Sequence, residues 1–310
     1  MVSILPTITA ILMIVALGHV IKRWGLLADS AWDSLSRLCY WVLFPGLLFN
    51  LTSSAVLSTA FLAPFLLSIS LSAFAIVLFS YGAGKLARQN GPAISSLIQG
   101  GLRHNGFLAL SILQGAGGLA ALQIGGIAVA FLVPISNIVA VVVLFIFSRE
   151  QTQTKMSAAI AREVARNPLI GAVVLGGLVN WLNIPVPSFI TLGADMLGSA
   201  ALPLLLLSIG ASLRFAAFKG HIKPLFVAVL AKTLVFPALL VGLGLFFGVG
   251  GTALLVLAAV GAAPTASSSF ALAKELGGDA DLMAEIISVQ TLVAAAAMPI
   301  WLIAAQYLAN

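Results

Sequence analysis

Charged residues and cysteine are scarce in this chain, and each shortage excludes a class of protein. Only 8% of the 310 residues are charged, whereas 61% are hydrophobic, and the mean hydropathy is +1.15. Soluble globular domains carry about 25% charged residues, so a water-soluble globule is excluded. The single cysteine, Cys39, excludes an internal disulfide, and we interpret it as a small packing residue in an apolar stretch.

Residues that carry enzyme chemistry are equally rare. Three scattered histidines and one cysteine supply neither a nucleophile–base pair nor a metal cluster. The chain also has no Gly-x-x-x-x-Gly-Lys-Ser/Thr stretch that would hold a nucleotide phosphate. We therefore expect a protein that is not an enzyme, has no metal or other cofactor and does not use ATP directly. A membrane-embedded enzyme is kept as an alternative.

Long apolar segments make up most of the chain and predict an all-α polytopic membrane protein. A helix needs about 20 apolar residues to cross a bilayer, and most of the segments reach that length. The ten predicted spans are 3–21, 37–56, 61–84, 93–116, 122–147, 168–184, 188–213, 222–248, 251–273 and 282–307.

Basic residues concentrate in alternate gaps between these spans. Loops rich in Lys and Arg stay in the cytoplasm during insertion, so both termini are expected on the opposite, extracytoplasmic side. The membrane expected is a bacterial inner membrane. The net charge of +6 then reflects this loop asymmetry and does not indicate nucleic-acid binding. Of the 15 basic residues, 12 lie in the gaps after spans one, three, five, seven and nine or, for Lys223, at the edge of such a gap: Lys22, Arg23, Lys85, Arg88, Arg149, Lys155, Arg162, Arg166, Arg214, Lys219, Lys223 and Lys274.

The two halves of the chain have a similar layout. Residues 1–147 and 168–310 each contain five predicted spans, and residues 148–167 form a predicted cytoplasmic linker between them. Repeats of five spans must be inverted relative to each other, a plan common in secondary transporters, whose substrate site lies at mid-membrane. Prolines recur at similar offsets in the two halves: Pro6, Pro45, Pro64 and Pro134 correspond to Pro168, Pro203, Pro224 and Pro299.

The fourth and ninth spans are interrupted by glycine, proline and polar residues, as transporter binding sites often are. Pro264 removes a backbone N–H and leaves a carbonyl without its helical partner. Helix-end N–H groups exposed by such a break favour anions. The alternative is that small residues there only permit close helix packing. The predicted substrate-binding residues of these stretches are Arg103, Asn105, Gly106, Pro264, Thr265, Ser267 and Ser268.

Short motifs in a defined order extend over nearly the whole chain. They include Leu43-Phe44-Pro45-Gly46, Asn105-Gly106-Phe107, Asn167-Pro168-Leu169-Ile170, Leu202-Pro203-Leu204, Ser208-Ile209-Gly210-Ala211, Ala262-Ala263-Pro264-Thr265-Ala266 and Met298-Pro299. In this order they resemble the auxin efflux carrier family, which includes bacterial organic-acid permeases, similar to malonate permeases, and the plant PIN-formed carriers.

The resemblance implies ten helices in two inverted repeats of five, with broken fourth and ninth helices that cross. It implies a scaffold of spans 1, 2, 6 and 7 and a transport bundle of spans 3–5 and 8–10. Asn105 and Pro264 match the family's crossover residues. Arg103-His104 departs from many members, which have an apolar or small residue there, so the resemblance does not define the substrate.

Arg103 lies about ten residues into the fourth span, where a charge is costly and is usually functional. Its planar guanidinium can bind a carboxylate through two hydrogen bonds. We predict that it anchors the carboxylate of a substrate. A structural ion pair and a misplaced span boundary are the alternatives.

Other polar residues within the spans are candidates for coupling or for lining the site. Lys232 and His104 are predicted coupling groups, and for Lys232 the alternative is a structural pair with an acidic residue. Asp195 is a third coupling candidate, or else a carboxylate stabilised at a helix end. Asn50 and Ser208 each lie five residues after one of the corresponding prolines, Pro45 and Pro203, and are predicted to line the substrate site. The alternative is that they only form hydrogen bonds between helices.

These observations predict a secondary active transporter of a small organic anion, a mono- or dicarboxylate, that works by alternating access. The substrate would be held where spans four and nine cross. A proton or a sodium ion is the candidate coupling ion, and a second copy of the chain is a candidate partner in a homodimer. The alternatives are a sodium-coupled carrier of the bile-acid-symporter type and a channel.

Overall fold

The chain is helical throughout the part that the structure describes. A computed structural model describes residues 4–55, 59–147, 161, 165, 167–213 and 221–309. Of these residues 87% are helical and none lies in a strand. The prediction of an all-α protein is confirmed.

α-Helices and two short π-helices follow one another along this described part. Their bounds are α1 (Ile4–Arg23), α2 (Asp29–Leu38), π1 (Cys39–Leu43), α3 (Phe44–Ser53), α4 (Thr59–Leu86), α5 (Gly91–Leu102), α6 (Gly106–Phe147), α7 (Pro168–Trp181), α8 (Ser188–Ser212), α9 (Ile222–Leu230), π2 (Ala231–Val235), α10 (Phe236–Phe246), α11 (Gly251–Ala262), α12 (Ser268–Glu275) and α13 (Ala280–Leu308). Within α6 the backbone leaves the helical region at Gly118, where φ is 64° and ψ is −155°. Glycine tolerates this positive φ because it has no Cβ.

Six stretches of described helix are long and apolar enough to cross a membrane. The stretch Gly91–Phe147, with 57 residues, contains two of the predicted spans, and the helices Pro168–Trp181 and Gly251–Ala262 are apolar but shorter. The arrangement of ten spans in two inverted repeats stays a prediction. The six stretches are Leu5–Arg23, Phe61–Leu86, Gly91–Phe147, Ser188–Ser212, Ile222–Phe246 and Ala280–Leu308.

The chain divides by packing into two compact units. The first comprises Met1–Ser58, Phe107–Ala130 and Asn167–Leu213, and the second comprises Thr59–Gly106, Phe131–Arg166 and Arg214–Asn310. The predicted repeats follow the sequence order instead, and they stay a prediction. The predicted linker, 148–167, lies almost wholly outside the described residues, and so do the basic residues Arg149, Lys155, Arg162, Arg166, Arg214 and Lys219.

In the first unit, α1 and α8 approach each other closely at two glycines. A Cβ added to Gly210 would collide with the carbonyl of Val15, and one added to Gly18 would collide with the carbonyl of Leu207. Helices in a membrane associate through such small residues, because lipid supplies no hydrophobic force between them. The backbones of α1 and α8 are therefore in direct contact.

Gly210→Ala is expected to lower the stability of the folded chain by about 1–3 kcal/mol, the usual cost of overpacking. The higher helix propensity of alanine, up to about 1 kcal/mol, offsets only part of that cost. The measurement is the melting temperature of the purified protein in detergent. Gly193→Ala, on the same helix, is the control, because an added Cβ there meets no atom within 4 Å. Equal melting temperatures for the two variants would contradict the close approach.

In the second unit, π2 precedes a proline that leaves one carbonyl without its helical donor. Phe236 N–H donates to Ala231 O, five residues back, which defines the π-turn. Pro237 has no N–H to offer Thr233 O. The indole Nε1–H of Trp301 donates to that oxygen at 2.8 Å and so joins α13 to π2. Such single π-turns are often found at functional sites.

Candidate functional site

The two predicted helix interruptions are present, and they contact each other within the second unit. α5 ends at Leu102 and α6 begins at Gly106, while α11 ends at Ala262 and α12 begins at Ser268. The backbone N–H of Asn105 donates to the carbonyl oxygen of Pro264 at 2.7 Å. One interruption thus supplies a donor and the other an acceptor, so neither unwound backbone leaves that group unsatisfied.

Arg103 is buried at the first interruption and is held by neutral oxygens. Its side chain is 6% exposed. Nη2 donates to Oδ1 of Asn137 and to Oγ of Ser268, each at 3.0 Å. Ser268 is the first residue of α12 and is itself exposed. The guanidinium therefore lies at the amino end of α12, which bears positive partial charge.

Gln290 on α13 connects the second interruption with α9 and with the last turn of α5, which leads into the first interruption. Its Oε1 accepts a hydrogen bond from the N–H of Thr265 at 3.0 Å, and its Nε2 donates to Gly100 O at 3.0 Å and to Ala228 O at 2.8 Å. The Thr265 hydroxyl lies 2.9 Å from Gly100 O and 2.7 Å from Gln290 Oε1, and its one proton can serve either acceptor. Gln290 and Thr265 are fully buried.

Several buried polar side chains of the second unit have atoms without a hydrogen-bond partner, and three of them lie close to the interruptions or in π2. Within the described residues, Nζ of Lys232, both ring nitrogens of His104 and both amide atoms of Gln99 have no hydrogen-bond partner. All three are at most 3% exposed. The ring of Phe236 lies 4.5 Å from Lys232 Nζ. Buried polar atoms of this kind call for an explanation such as a ligand or bound water.

The alternative of a structural acid pair for Lys232 finds no support in the described part of the chain, where no carboxylate lies within ion-pair distance of Nζ. Glu285, which is 4% exposed, pairs instead with His221, with 3.3 Å between Oε1 and Nδ1. Among the described residues, no three His, Cys, Asp or Glu side chains lie close enough to hold a metal ion.

The remaining predicted site residues are divided between the two units. Gly106 begins α6 and Ser267 precedes α12, so both belong to the second unit with Arg103. Asn50 on α3 is half-buried, Ser208 on α8 is buried and Asp195 on α8 is exposed, and all three belong to the first unit. Their predicted roles stay predictions.

Sequence reasoning missed Asn137 and Gln290 and gave Gln99 no role. Each is a single amide side chain within a long apolar stretch, which is unusual and often functional in a membrane helix. That signal was present in the sequence. It did not reveal what Asn137 and Gln290 would contact, because their partners are 25 to 190 residues away in the chain.

Comparison with known proteins places the chain among membrane proteins. The model of a family described as "Membrane transport protein" matches residues 3–302. A protein of Methanothermobacter thermautotrophicus described as "Uncharacterized transporter" is 22% identical over 298 residues, which cover 95% of this chain and 96% of that protein. The likeness therefore extends over nearly the whole of both chains.

Proposed function

Because the chain belongs to the membrane transport protein family, that of the auxin efflux carriers, we propose that it is a secondary transporter of a small organic anion. The family match confirms the resemblance seen in the sequence motifs. Membership makes the chain a membrane transport protein. The substrate and the mechanism described below are our proposal.

The observation that carries the proposal is the position of Arg103 at the amino end of α12. Nη2 of Arg103 lies 3.0 Å from Oγ of Ser268, the first residue of that helix. The amino end of a helix carries roughly half a positive charge, so a guanidinium beside it is repelled. An anion bound between the guanidinium and the amino end of α12 would be attracted to both and would offset their mutual repulsion. The arrangement therefore favours an anionic ligand.

A carboxylate is the anion that fits a guanidinium best among small organic acids. The planar guanidinium donates charge-assisted hydrogen bonds to carboxylate oxygens, and it donates two in parallel where the carboxylate displaces one of the two acceptors of Nη2. Asn137 and Ser268 hold Nη2 in place, which reduces the entropy that would be lost on binding. The substrate class we propose is therefore a mono- or dicarboxylate, with Asn105, Gly106, Pro264, Thr265 and Ser267 as its further contacts.

Alternating access is the mechanism that we propose for transport. Both interruptions, with Arg103 and Gln290, lie in the second unit, which would carry the substrate as one body. The first unit contains α1, α3, α7 and α8 and corresponds to much of the predicted scaffold. With no nucleotide-binding motif in the sequence, the driving force would be an ion gradient.

The proposal is tested with five probe acids: acetate, pyruvate, malonate, succinate and phenylacetate. At least one is expected to raise the melting temperature of the purified protein, because a ligand of the native state stabilises it; at a concentration 100 times Kd the gain is about 2.7 kcal/mol. The same acid should show counterflow in liposomes: preloaded unlabelled acid should accelerate uptake of the labelled acid. Absence of both effects for all five acids would refute the proposed function.

The alternatives give different results in the same liposomes. A carrier of the bile-acid-symporter type would need sodium for uptake, whereas replacing sodium with potassium should leave carboxylate counterflow unchanged if a proton is the coupling ion. A channel would show neither saturation nor counterflow. Saturable exchange without sodium would favour the proposed carrier over both.

A further inference from the structure

Lys232 is the most deeply buried ionisable side chain of the site region, and its surroundings do not balance a charge. Its exposure is 0%, and in the described part of the chain its Nζ has no hydrogen-bond partner. The contact that it does have is the face of the Phe236 ring, 4.5 Å away. A buried ammonium is normally paired with an anion or fully hydrogen-bonded. Lys232 has neither in the described part of the chain.

The titratable groups on the surrounding elements do not supply a nearby negative charge. The helices α4, α5, α9, α10, α11 and α13 pack against π2. The carboxylates among them, Asp281 and Glu285, lie in the first turns of α13, where Glu285 contacts His221. His221 precedes Lys232 by 11 residues, about 16 Å along a helix. The other titratable groups on these helices are Tyr81, Lys85, Lys223 and Tyr307.

Lys232 lies in π2, which packs against the end of α5 that leads into the proposed anion site. The last turn of α5 packs directly against π2: a Cβ added to Gly101, two residues before Arg103, would lie 3.6 Å from Cβ of Ala231, the residue before Lys232. An anion bound at Arg103 would therefore lie in the same low-dielectric region as Lys232, where electrostatic attraction is strong. Burial without a counter-charge favours an uncharged amine at Lys232, whereas a nearby bound anion would favour an ammonium.

We propose that Lys232 binds one proton each time an anion binds at Arg103, and releases that proton when the anion leaves, so that the carrier moves one proton with each anion. This inference rests on the proposed function. The neutral amine binds the proton from the side on which the anion enters, and the resulting ammonium is compensated by that anion. After release of both on the other side, the amine is neutral again.

The charge balance of this cycle makes a definite prediction. Arg103 keeps its positive charge throughout, so the empty second unit and the unit loaded with a proton and a monoanion carry the same net charge. Transport of a monocarboxylate is then electroneutral. With the membrane potential clamped at zero, one pH unit across the membrane should drive an accumulation of about tenfold.

Lys232→Met tests the proposal, because methionine is unbranched and only one atom shorter than lysine but cannot bind a proton. In liposomes clamped with valinomycin and potassium, wild-type protein should accumulate the probe acid that shows counterflow about tenfold per pH unit, after subtraction of the leak in protein-free liposomes. Lys232→Met should lose the accumulation, and any counterflow that it retains should need a higher concentration of the acid, because the ammonium that attracts the anion is gone. Lys85→Met is the matched control, since Lys85 also lies over a ring, 5.8 Å from that of Tyr81, but is exposed.

Two results would overturn the inference while leaving the proposed function intact. The first is full accumulation driven by the pH gradient in Lys232→Met. The second is read on the wild-type protein alone, so it does not depend on the variant folding: binding of the probe acid in weakly buffered detergent solution should consume one proton per anion. No proton uptake on binding would refute the role of Lys232. Absence of counterflow in the wild-type protein would refute the proposed function as well.

Discussion

Arg103→Ala is expected to weaken carboxylate binding by roughly ten- to a hundredfold, because the lost charge-assisted hydrogen bonds contribute about 1.5–3 kcal/mol. The variant should still fold. Both described contacts of Nη2 are to neutral side chains, so the substitution leaves no unpaired charge at Asn137 or Ser268. Arg103→Lys should recover part of the loss, because an ammonium keeps the charge but lacks the planar fork. Affinity is measured from ligand-induced shifts in melting temperature on the purified variants.

The outcome for Arg103 separates the carboxylate anchor from the structural ion pair. Breaking a buried ion pair costs about 3–5 kcal/mol in soluble proteins, so a structural role would appear as a large loss of melting temperature without ligand. Retained affinity together with that loss would place the anchor elsewhere. Arg37→Ala is the control, because Arg37 is an exposed arginine at the end of α2.

Asn105→Ala examines the same site from the neighbouring residue. Its backbone N–H, which donates to Pro264 O at 2.7 Å, is kept in the variant. A loss of carboxylate affinity would therefore report on the amide side chain itself.

Gln290→Leu is expected to destabilise the second unit by about 2–4 kcal/mol. It removes the amide contacts to Thr265, Gly100 and Ala228 and leaves the N–H of Thr265 buried without an acceptor. Lost hydrogen bonds cost about 0.5–1.5 kcal/mol each, and an unsatisfied buried donor about 1–3. The carbonyl of Ala228 still accepts from Ala231 N–H, which limits the damage.

The measurement for Gln290→Leu is the melting temperature without ligand, followed by carboxylate affinity at a temperature where the variant is folded. Both should fall, because the same amide holds the two interruptions in place. Gln123→Leu is the control: the amide of Gln123 makes only long, exposed contacts to Ser54, at 3.4 and 3.5 Å. A melting temperature like that of the control would mean that the Gln290 network contributes little.

The interruptions of the two broken helices were predictable because their causes are local. Pro264 cannot continue a hydrogen-bonded helix, and the glycine-rich, polar stretch around Arg103 favours an unwound backbone. The helical class and the family followed from composition and from the order of short motifs, and both are confirmed. The burial of Arg103 was likewise expected from its depth in an apolar segment.

The contacts of the site were not predictable, and neither were the two π-helices. π2 places Lys232 in the interior over the Phe236 ring, whereas the sequence left an acidic partner open as an alternative. A π-turn has no specific sequence pattern. Contacts from distant residues stabilise it, such as the hydrogen bond of Trp301 to Thr233 O, 68 residues away in the chain.

The amino-acid sequence by itself determined a helical membrane protein, its broken helices and a cation within them, because these depend on apolar length, on backbone chemistry and on the cost of a buried charge. Only the tertiary structure decided that Asn137 and Ser268 hold Arg103, that Gln290 joins the two interruptions and that Lys232 has no anionic partner in the described part of the chain. These pairings form between helices far apart in sequence. Their geometry depends on how the helices pack, and no local sequence pattern indicates that packing.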